Sequence, residues 1–203
     1  SSIVGEKVAI IGSGATAVTL LPNISKTAEH VTLVQRTPSY IGSKPLIDSR
    51  AKCLMDWLPR SVASKIIRWR AIIWGFYFPF WCSLFPERAK RFIRKVARNQ
   101  LRSVMTDEEL DKHFTPPYNP WEQRFCPAPN GDFFASIRSG KASIVTDHID
   151  RITENGIQMK NGKLVHANLI VKATGLTFQP NFPFSTMEVS IDGKQYKPQD
   201  KMI

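Results

Sequence analysis

The feature that most constrains this chain is a short run of small residues, Gly12-Ser13-Gly14-Ala15-Thr16-Ala17, set between two different apolar patterns. Before it, Lys7-Val-Ala-Ile-Ile11 is a continuous apolar run of strand length. After it, Ala15 to about Ala28 reads as a helix, with Pro22 predicting a kink. A second apolar strand, Val31-Thr-Leu-Val-Gln35, follows. Strand, tight turn, helix and strand make a βαβ unit, which pairs its strands in parallel with a right-handed crossover. A chain that opens in this way is expected to build a doubly layered, Rossmann-like α/β fold.

The six-residue run matches G-x-G-x-x-G/A in the setting that gives the pattern meaning, after a strand and opening a helix. Each position has its own reason. Gly12 permits a tight turn, Gly14 lets backbone approach a pyrophosphate, and Ala17 is small enough for the helix to pack on the strand. Ser13, Ala15 and Thr16 complete the turn and the first helical residues, where unpaired N–H groups and the helix dipole favour an anion. The plainer alternative is a strand–helix turn that holds no ligand. The end of the second strand separates the nucleotides. An NAD site places Asp or Glu there for the ribose 2′-hydroxyl. This chain has Gln35-Arg36-Thr37 instead, and a guanidinium followed by a hydroxyl suits a 2′-phosphate. The expected ligand is NADP(H), with Arg36 and Thr37 as the discriminating contacts.

The net charge of +11 over 203 residues raises the question of nucleic acid, and its distribution answers it. Residues 60–102 carry eleven Lys/Arg against one acid, Glu87, whereas the rest of the chain is nearly balanced. Arg88, Arg91, Lys95, Arg98 and Arg102 recur at three- and four-residue steps. Phe92, Ile93, Val96, Ala97 and Leu101 lie between them, and Lys90 and Arg94 add further charge. This predicts an amphipathic helix with one basic face. Its ordinary role is a solvated surface; the sharper reading is a contact with a membrane surface or another anionic partner. Upstream, the charge-free stretch 71–86 is aromatic-rich but sixteen residues long, short of the roughly 20 that span a bilayer. Pro79 is expected to break a helix there. A buried helix is one expectation for this stretch. Packing on a part of a longer parent protein, with an exposed patch here, is the other.

Residues 1–43 are read as the first part of a nucleotide-binding domain, 44–113 as a helical insertion and 114–203 as the remainder. Thr106 and Glu109 form a candidate capping box. Residues 115–130 hold Pro116, Pro117, Pro120, Pro127 and Pro129 and read as a long ordered loop. Asp132–Ser139 reads as a helix ended by Gly140. Strand character returns at Ala142–Thr146, then in short pieces near 149–153, 156–160 and 163–166, joined at Asn155-Gly156 and Asn161-Gly162. Another buried strand runs from Asn168 to Thr174. Cys53, Cys82 and Cys126 are too far apart for a Cys-x-x-Cys metal or redox pair, and the four histidines are scattered. Odd, unpaired cysteines and no visible secretory leader suggest a cytoplasmic setting. A start at Ser1 and an end at Ile203 suggest a piece of a longer protein. No catalytic triad is visible. The Pro-rich loop with Gln123-Arg124 is the best candidate for local chemistry, because an arginine there could stabilise an anionic intermediate.

These residues together resemble the flavin-dependent Baeyer–Villiger monooxygenases, and among them the ethionamide-activating type. The resemblance rests on Gly12–Ala17, Gln35-Arg-Thr-Pro38, Tyr118-Asn-Pro-Trp-Glu-Gln-Arg124, Asn130-Gly-Asp-Phe-Phe134, Val145-Thr-Asp-His148 and Ala173-Thr-Gly175, in that order. It implies the NADPH-binding domain of a two-dinucleotide-binding flavoprotein, inserted into an FAD domain absent from this sequence, with the hairpins at 149–166 as its β-meander. It implies a whole enzyme that uses NADPH, FAD and O₂ to insert oxygen into a ketone, or to oxygenate sulfur in a thioether, through a flavin peroxide. The family's active-site arginine falls on Arg124, to hold negative charge and orient the nicotinamide. Gln123 stands where other branches often carry a lysine on the 2′-phosphate. This piece alone is expected to be inactive. An N-hydroxylating or other NADPH/FAD oxidoreductase is the nearest alternative. A non-enzymatic basic module for membrane or nucleic acid is the alternative of a different class; the Gly-rich turn argues against nucleic acid, while 60–102 leaves peripheral membrane contact open.

Overall fold

The computed structural model describes residues 3–123, 125–175, 189–191 and 194–196. At its centre is a four-stranded parallel sheet in the order β5-β2-β1-β9, built from β1 (Lys7–Ile11), β2 (His30–Gln35), β5 (Ala142–Thr146) and β9 (Leu169–Lys172). The chain moves outward from β1 to β2 to β5, then returns to the other side of β1 as β9. The sheet therefore has a reversal of strand order between β1 and β9, where open α/β sheets bind ligands at their carboxyl ends.

Side-chain alternation explains the two layers. Val8 and Ile10, with Val31, Leu33, Ala142 and Ile144, face the helices α1 (Ala15–Ile24) and α6 (Asp132–Arg138) in the larger core. Ala9, Val34 and Val145 face the opposite way and pack on Ile157, Met159 and Val165. Those last three belong to an antiparallel meander of β6 (Ile149–Thr153), β7 (Gly156–Met159) and β8 (Leu164–His166). Phe114, Phe133 and Phe134 fill the helix-side core with ring centroids 5.6–6.5 Å apart. Gly156 closes the first meander turn at φ +137, and a Cβ there would meet the Val165 carbonyl oxygen at 2.0 Å. The expected parallel α/β architecture and the β-meander are both present.

Between β2 and α6 lie β3 (Tyr40–Lys44), four helices and β4 (Phe125–Pro129). The helices are α2 (Ser49–Trp57), α3 (Arg60–Leu84), α4 (Pro86–Leu101) and α5 (Asp107–Phe114). Asp48 caps α2 by accepting from the Arg50 and Ala51 N–H groups. The Thr106/Glu109 capping box on α5 is formed in both directions. α4 buries Ala89, Ile93, Ala97 and Leu101, a narrower stripe than expected, because Phe92 stays half exposed. A separate hairpin-like pair, β10 (Val189–Ile191) and β11 (Lys194–Tyr196), runs antiparallel.

Four local expectations are corrected. Helix α1 stops at Ile24, with the Ser25 N–H reaching the Leu21 carbonyl, rather than running to Ala28. The Pro-rich stretch is not all loop: Phe125–Pro129 pairs in parallel with Tyr40–Lys44. It buries Cys126 and Ala128 while Pro127 and Pro129 face out, as a two-stranded edge permits. Pro79 lies inside α3 instead of ending it. The carbonyl it leaves unpaired is that of Gly75, an exposed residue with open space around it, so water can satisfy that group. Finally, the aromatic stretch is not a buried helix. Of the 25 residues in α3, only Ala63 and Cys82 are buried.

Candidate functional site

A pocket of about 750 Å³ opens at the carboxyl end of the sheet, beside the β1/β9 reversal. It is built from whatever follows each parallel strand. Gly12, Ser13 and Gly14 follow β1, Arg36 and Thr37 follow β2, Asp147 and His148 follow β5, and Ala173 and Thr174 follow β9. Gln123 and Tyr118 from the Pro-rich stretch also line it.

The Gly-rich turn is held from three sides. Gly12 N–H donates to the Val34 carbonyl (2.9 Å), Ala173 N–H donates to the Ile11 carbonyl (2.8 Å), and Ser39 Oγ donates to Ser13 Oγ (3.0 Å). Gly12 has φ +133, and a Cβ on it would lie 2.3 Å from the Ala173 carbonyl oxygen. Glycine is thus demanded twice, by backbone conformation and by the close approach of the β9 end. Gly14 is the N-cap of α1, in ordinary extended geometry. Among the described residues no side chain caps α1, and its first turn holds no acid, so its N-terminal N–H groups and positive dipole end favour an anion. Ala17 is fully buried against the sheet, whereas Ala15 and Thr16 are exposed; none of these three lines the pocket.

The end of β2 is fixed by buried polar contacts. Gln35, 2% exposed, donates from Nε2 to the His113 carbonyl (2.9 Å) and to Thr146 Oγ1 (2.8 Å). His113 Nδ1 lies 2.7 Å from the same Thr146 oxygen. Burial holds the His113 imidazole below its ordinary pKa, with nearby Lys112 acting in the same direction. Beyond this anchor Arg36 and Thr37 are exposed in the pocket, and Arg36 pairs with no carboxylate among the described residues. Asp147 is the one carboxylate that lines the pocket among the described residues. Its oxygens accept the His148 N–H (2.7 Å) and the Asn161 N–H (3.0 Å), and the first of these chiefly lowers its pKa.

On the Pro-rich side, Tyr40 Oη donates to the Tyr118 carbonyl (2.7 Å), and its ring meets Tyr118 edge-on at 5.5 Å. Burial, reinforced by Tyr118, Glu87 and Glu122, pushes the Tyr40 phenol up to about 12, so it remains a donor. Glu122 closes the turn by accepting from the Asn119 backbone N–H (2.8 Å) and side-chain amide (2.6 Å). Trp121 sits at φ +72, a left-handed conformation that costs a bulky residue on the order of 1–3 kcal/mol. Its ring is held by stacking on Phe125 at 5.7 Å and by an edge contact with Phe78 of α3 at 6.3 Å. This strained residue lies two positions before Gln123. Arg124, singled out in the sequence, lies outside the described residues.

Gly12, Ser13, Gly14, Arg36, Thr37 and Gln123 thus come together around one cavity. Asp147, His148, Ser39, Tyr118 and Thr174 line it too; all but Ser39 belong to the motifs that carry the resemblance, but none was read as a site residue. The signal for most of them was available: they immediately follow strands whose carboxyl ends share one edge of a parallel sheet.

No protein-family model matches the chain. Curated relatives do. It is 43% identical over 176 residues to the FAD-containing monooxygenase EthA of Mycolicibacterium smegmatis, covering 86% of this chain and 35% of that protein. It is 45% identical over 203 residues to the probable FAD-binding monooxygenase AlmA of Acinetobacter baylyi, covering 98% of this chain and 39% of that protein. The chain is a homologue of part of the FAD-containing monooxygenases. EthA of Mycobacterium tuberculosis is 40% identical over 191 residues, with 38% of its length covered. The chain therefore spans a little over a third of the length of these relatives. The fold is shared with Baeyer–Villiger-type structures. An open form of cyclohexanone monooxygenase matches with a TM-score of 0.63 at 19% identity, covering 96% of this chain and 45% of that one. A complex of OTEMO with FAD and NADP matches with a TM-score of 0.55 at 16% identity, covering 87% of this chain and 39% of that one.

Proposed function

We propose that this chain is the NADPH-binding domain of an FAD-dependent monooxygenase that inserts oxygen into ketones or oxygenates sulfur. The observation that carries this reading is the pocket at the β1/β9 reversal, where a helix N-terminus without a side-chain cap and an arginine without a carboxylate partner, both among the described residues, line one cavity. These residues fit the nucleotide. The N–H groups at the start of α1 would take the pyrophosphate, with Gly12 and Gly14 keeping side chains out of the approach. Arg36 and Thr37 would take the 2′-phosphate, the guanidinium as a charge-assisted donor and the hydroxyl as a neutral one. Gln123 adds an amide where it lines the same cavity.

When bound, NADPH would supply the hydride, and an FAD held by the rest of a longer parent protein would supply the oxygen chemistry. This chain's own work is to bind and orient. Gln35, anchored on His113 and Thr146, sets where the β2 end places Arg36. Arg124 would hold negative charge developing at the reacting centre and position the nicotinamide ring, since a guanidinium stays charged throughout. On this reading residues 1–43 and 114–203 form the nucleotide-binding domain and 44–113 an insertion. The small-molecule ketone or thioether would meet this domain across its boundary with the FAD domain, and segment 60–102 supplies a second surface, for peripheral contact with membrane. Replacing Arg36 by Ala should weaken NADPH binding about tenfold to a hundredfold, the worth of one charge-assisted contact, and leave NADH binding unchanged. Equal loss for both nucleotides would remove the 2′-phosphate assignment.

A further inference from the structure

The helix α3 presents an apolar stripe to solvent along its whole length. Ile66, Trp69, Ile73, Phe76, Tyr77 and Phe80 repeat at three- and four-residue steps and are 41–76% exposed. From Val62 to Leu84 the stripe runs about 33 Å, at 1.5 Å per residue. Away from the stripe lie the two buried residues of α3, Ala63 and Cys82, and the inward-facing Phe78, which meets Trp121 and Phe125. The stripe is therefore not a core face turned the wrong way; α3 already has one.

Charge identifies what covers it. No acid occurs between Trp57 and Pro86, while Arg60, Lys65, Arg68 and Arg70 crowd the first half of α3. Arg70 is paired with Asp48; Lys65 and Arg68 have no carboxylate partner among the described residues. A groove lined by Ile66, Trp69, Ile73 and Trp74 also has Lys65 and Arg70 in its wall. On α4, Arg94 and Arg98 are committed to Asp111 and Asp107, but Lys95 and Arg102 have no such partner among the described residues. An unbalanced cationic surface beside an aromatic stripe fits an anionic partner that is apolar just beneath its charged surface. Trp and Tyr, each with an apolar ring and one polar atom, suit such a boundary. No helix among the described residues is long and apolar enough to cross a membrane.

We propose that α3 lies in the plane of an anionic phospholipid surface, with the stripe from Ile66 to Phe80 in the acyl boundary and Lys65 and Arg68 among the headgroups. This rests on the peripheral membrane contact proposed above for 60–102, but the surface is separate from the nucleotide pocket, so either can fail without the other.

The test uses the full-length, FAD-loaded protein and extruded vesicles of phosphatidylcholine, alone or in equal parts with phosphatidylglycerol. The expected result is co-flotation with the phosphatidylglycerol vesicles, weakened by salt, with tryptophan emission shifted to the blue and quenched by brominated acyl chains. The triple variant Trp69→Ser/Phe76→Ser/Phe80→Ser should lose at least about tenfold in vesicle affinity. It should keep its melting temperature and its NADPH affinity, which separates this surface from the nucleotide site. The quenching measurement needs no variant, so a folding failure would not rescue the idea. Three results would overturn it: no binding to either vesicle, binding unaffected by the triple variant, or a stripe occluded by the rest of the chain or a second copy, seen as tryptophans that brominated lipid does not quench.

Discussion

In β1, β2 and β5 successive side chains enter one of two cores, so almost every apolar residue of the sheet is enclosed by this chain. In α3, which is five times as long as any one of β1, β5 or β3, only Ala63 and Cys82 are enclosed; Phe78 and Trp81 are partly covered, and Trp69, Trp74, Phe76, Tyr77 and Phe80 are exposed. Both segments are strongly apolar in sequence. The difference lies in period and neighbours: the strands alternate between two covering layers, whereas α3 carries two apolar stripes and this domain covers one. The enclosed region places backbone to within tenths of an ångström, as the Gly12 and Ala173 contact requires, and that is where the pocket forms. The open region leaves its apolar surface uncovered by the described residues.

This contrast can be broken by substitution. The largest effect is expected in the enclosed region: Phe133→Ala should cost about 3–5 kcal/mol in urea unfolding, because three rings interlock there and the cavity cannot collapse. Gly12→Ala should cost on the order of 3 kcal/mol and abolish nucleotide binding, since the added methyl meets a backbone carbonyl and the φ is unfavourable. A milder, pH-dependent effect is expected at His113. Its folded pKa lies below its ordinary value of 6.5, so protonation favours the unfolded chain. The stability contributed by the neutral ring is fully present above about pH 6.5 and is lost as the pH falls below it. Thermal melts between pH 8 and about pH 5 should show this decline, and His113→Gln should flatten it. The smallest effect belongs to the open region: Phe76→Ser should change the melting free energy by no more than about 0.5 kcal/mol. A loss near that of Phe133→Ala would mean that α3 is enclosed after all.

The sheet was readable because its signals are local. Each strand is a short apolar run bounded by turn residues, and Ala142–Thr146 and Ile149–Thr153 fall where the sequence places them. The Gly-rich turn was readable for the same reason, since strand, turn and helix are contiguous. The pairing of β3 with β4 was not, because it joins residues 85 positions apart and β4 is masked by Pro127 and Pro129, which ordinarily argue against a strand. Pro79 misled in the same way: a rule about isolated helices was outweighed by 25 residues of helix and an exposed Gly75. Asp147 and His148 join the pocket only because β5 lies beside β2, a neighbour relation no local pattern states. Whether the α3 stripe faced inward or outward depended on how many of its faces the domain covers, which is a property of the packed molecule.

We propose that the cavity at the β1/β9 reversal binds a dinucleotide and selects it by its 2′-phosphate. Calorimetric titration of the full-length, FAD-loaded protein with NADPH and, separately, with NADH tests it most directly. The expected result is saturable NADPH binding at least about tenfold tighter than NADH, with the preference abolished in Arg36→Ala. Equal affinities for the two nucleotides in the unaltered protein, or a preference that survives Arg36→Ala, would contradict it.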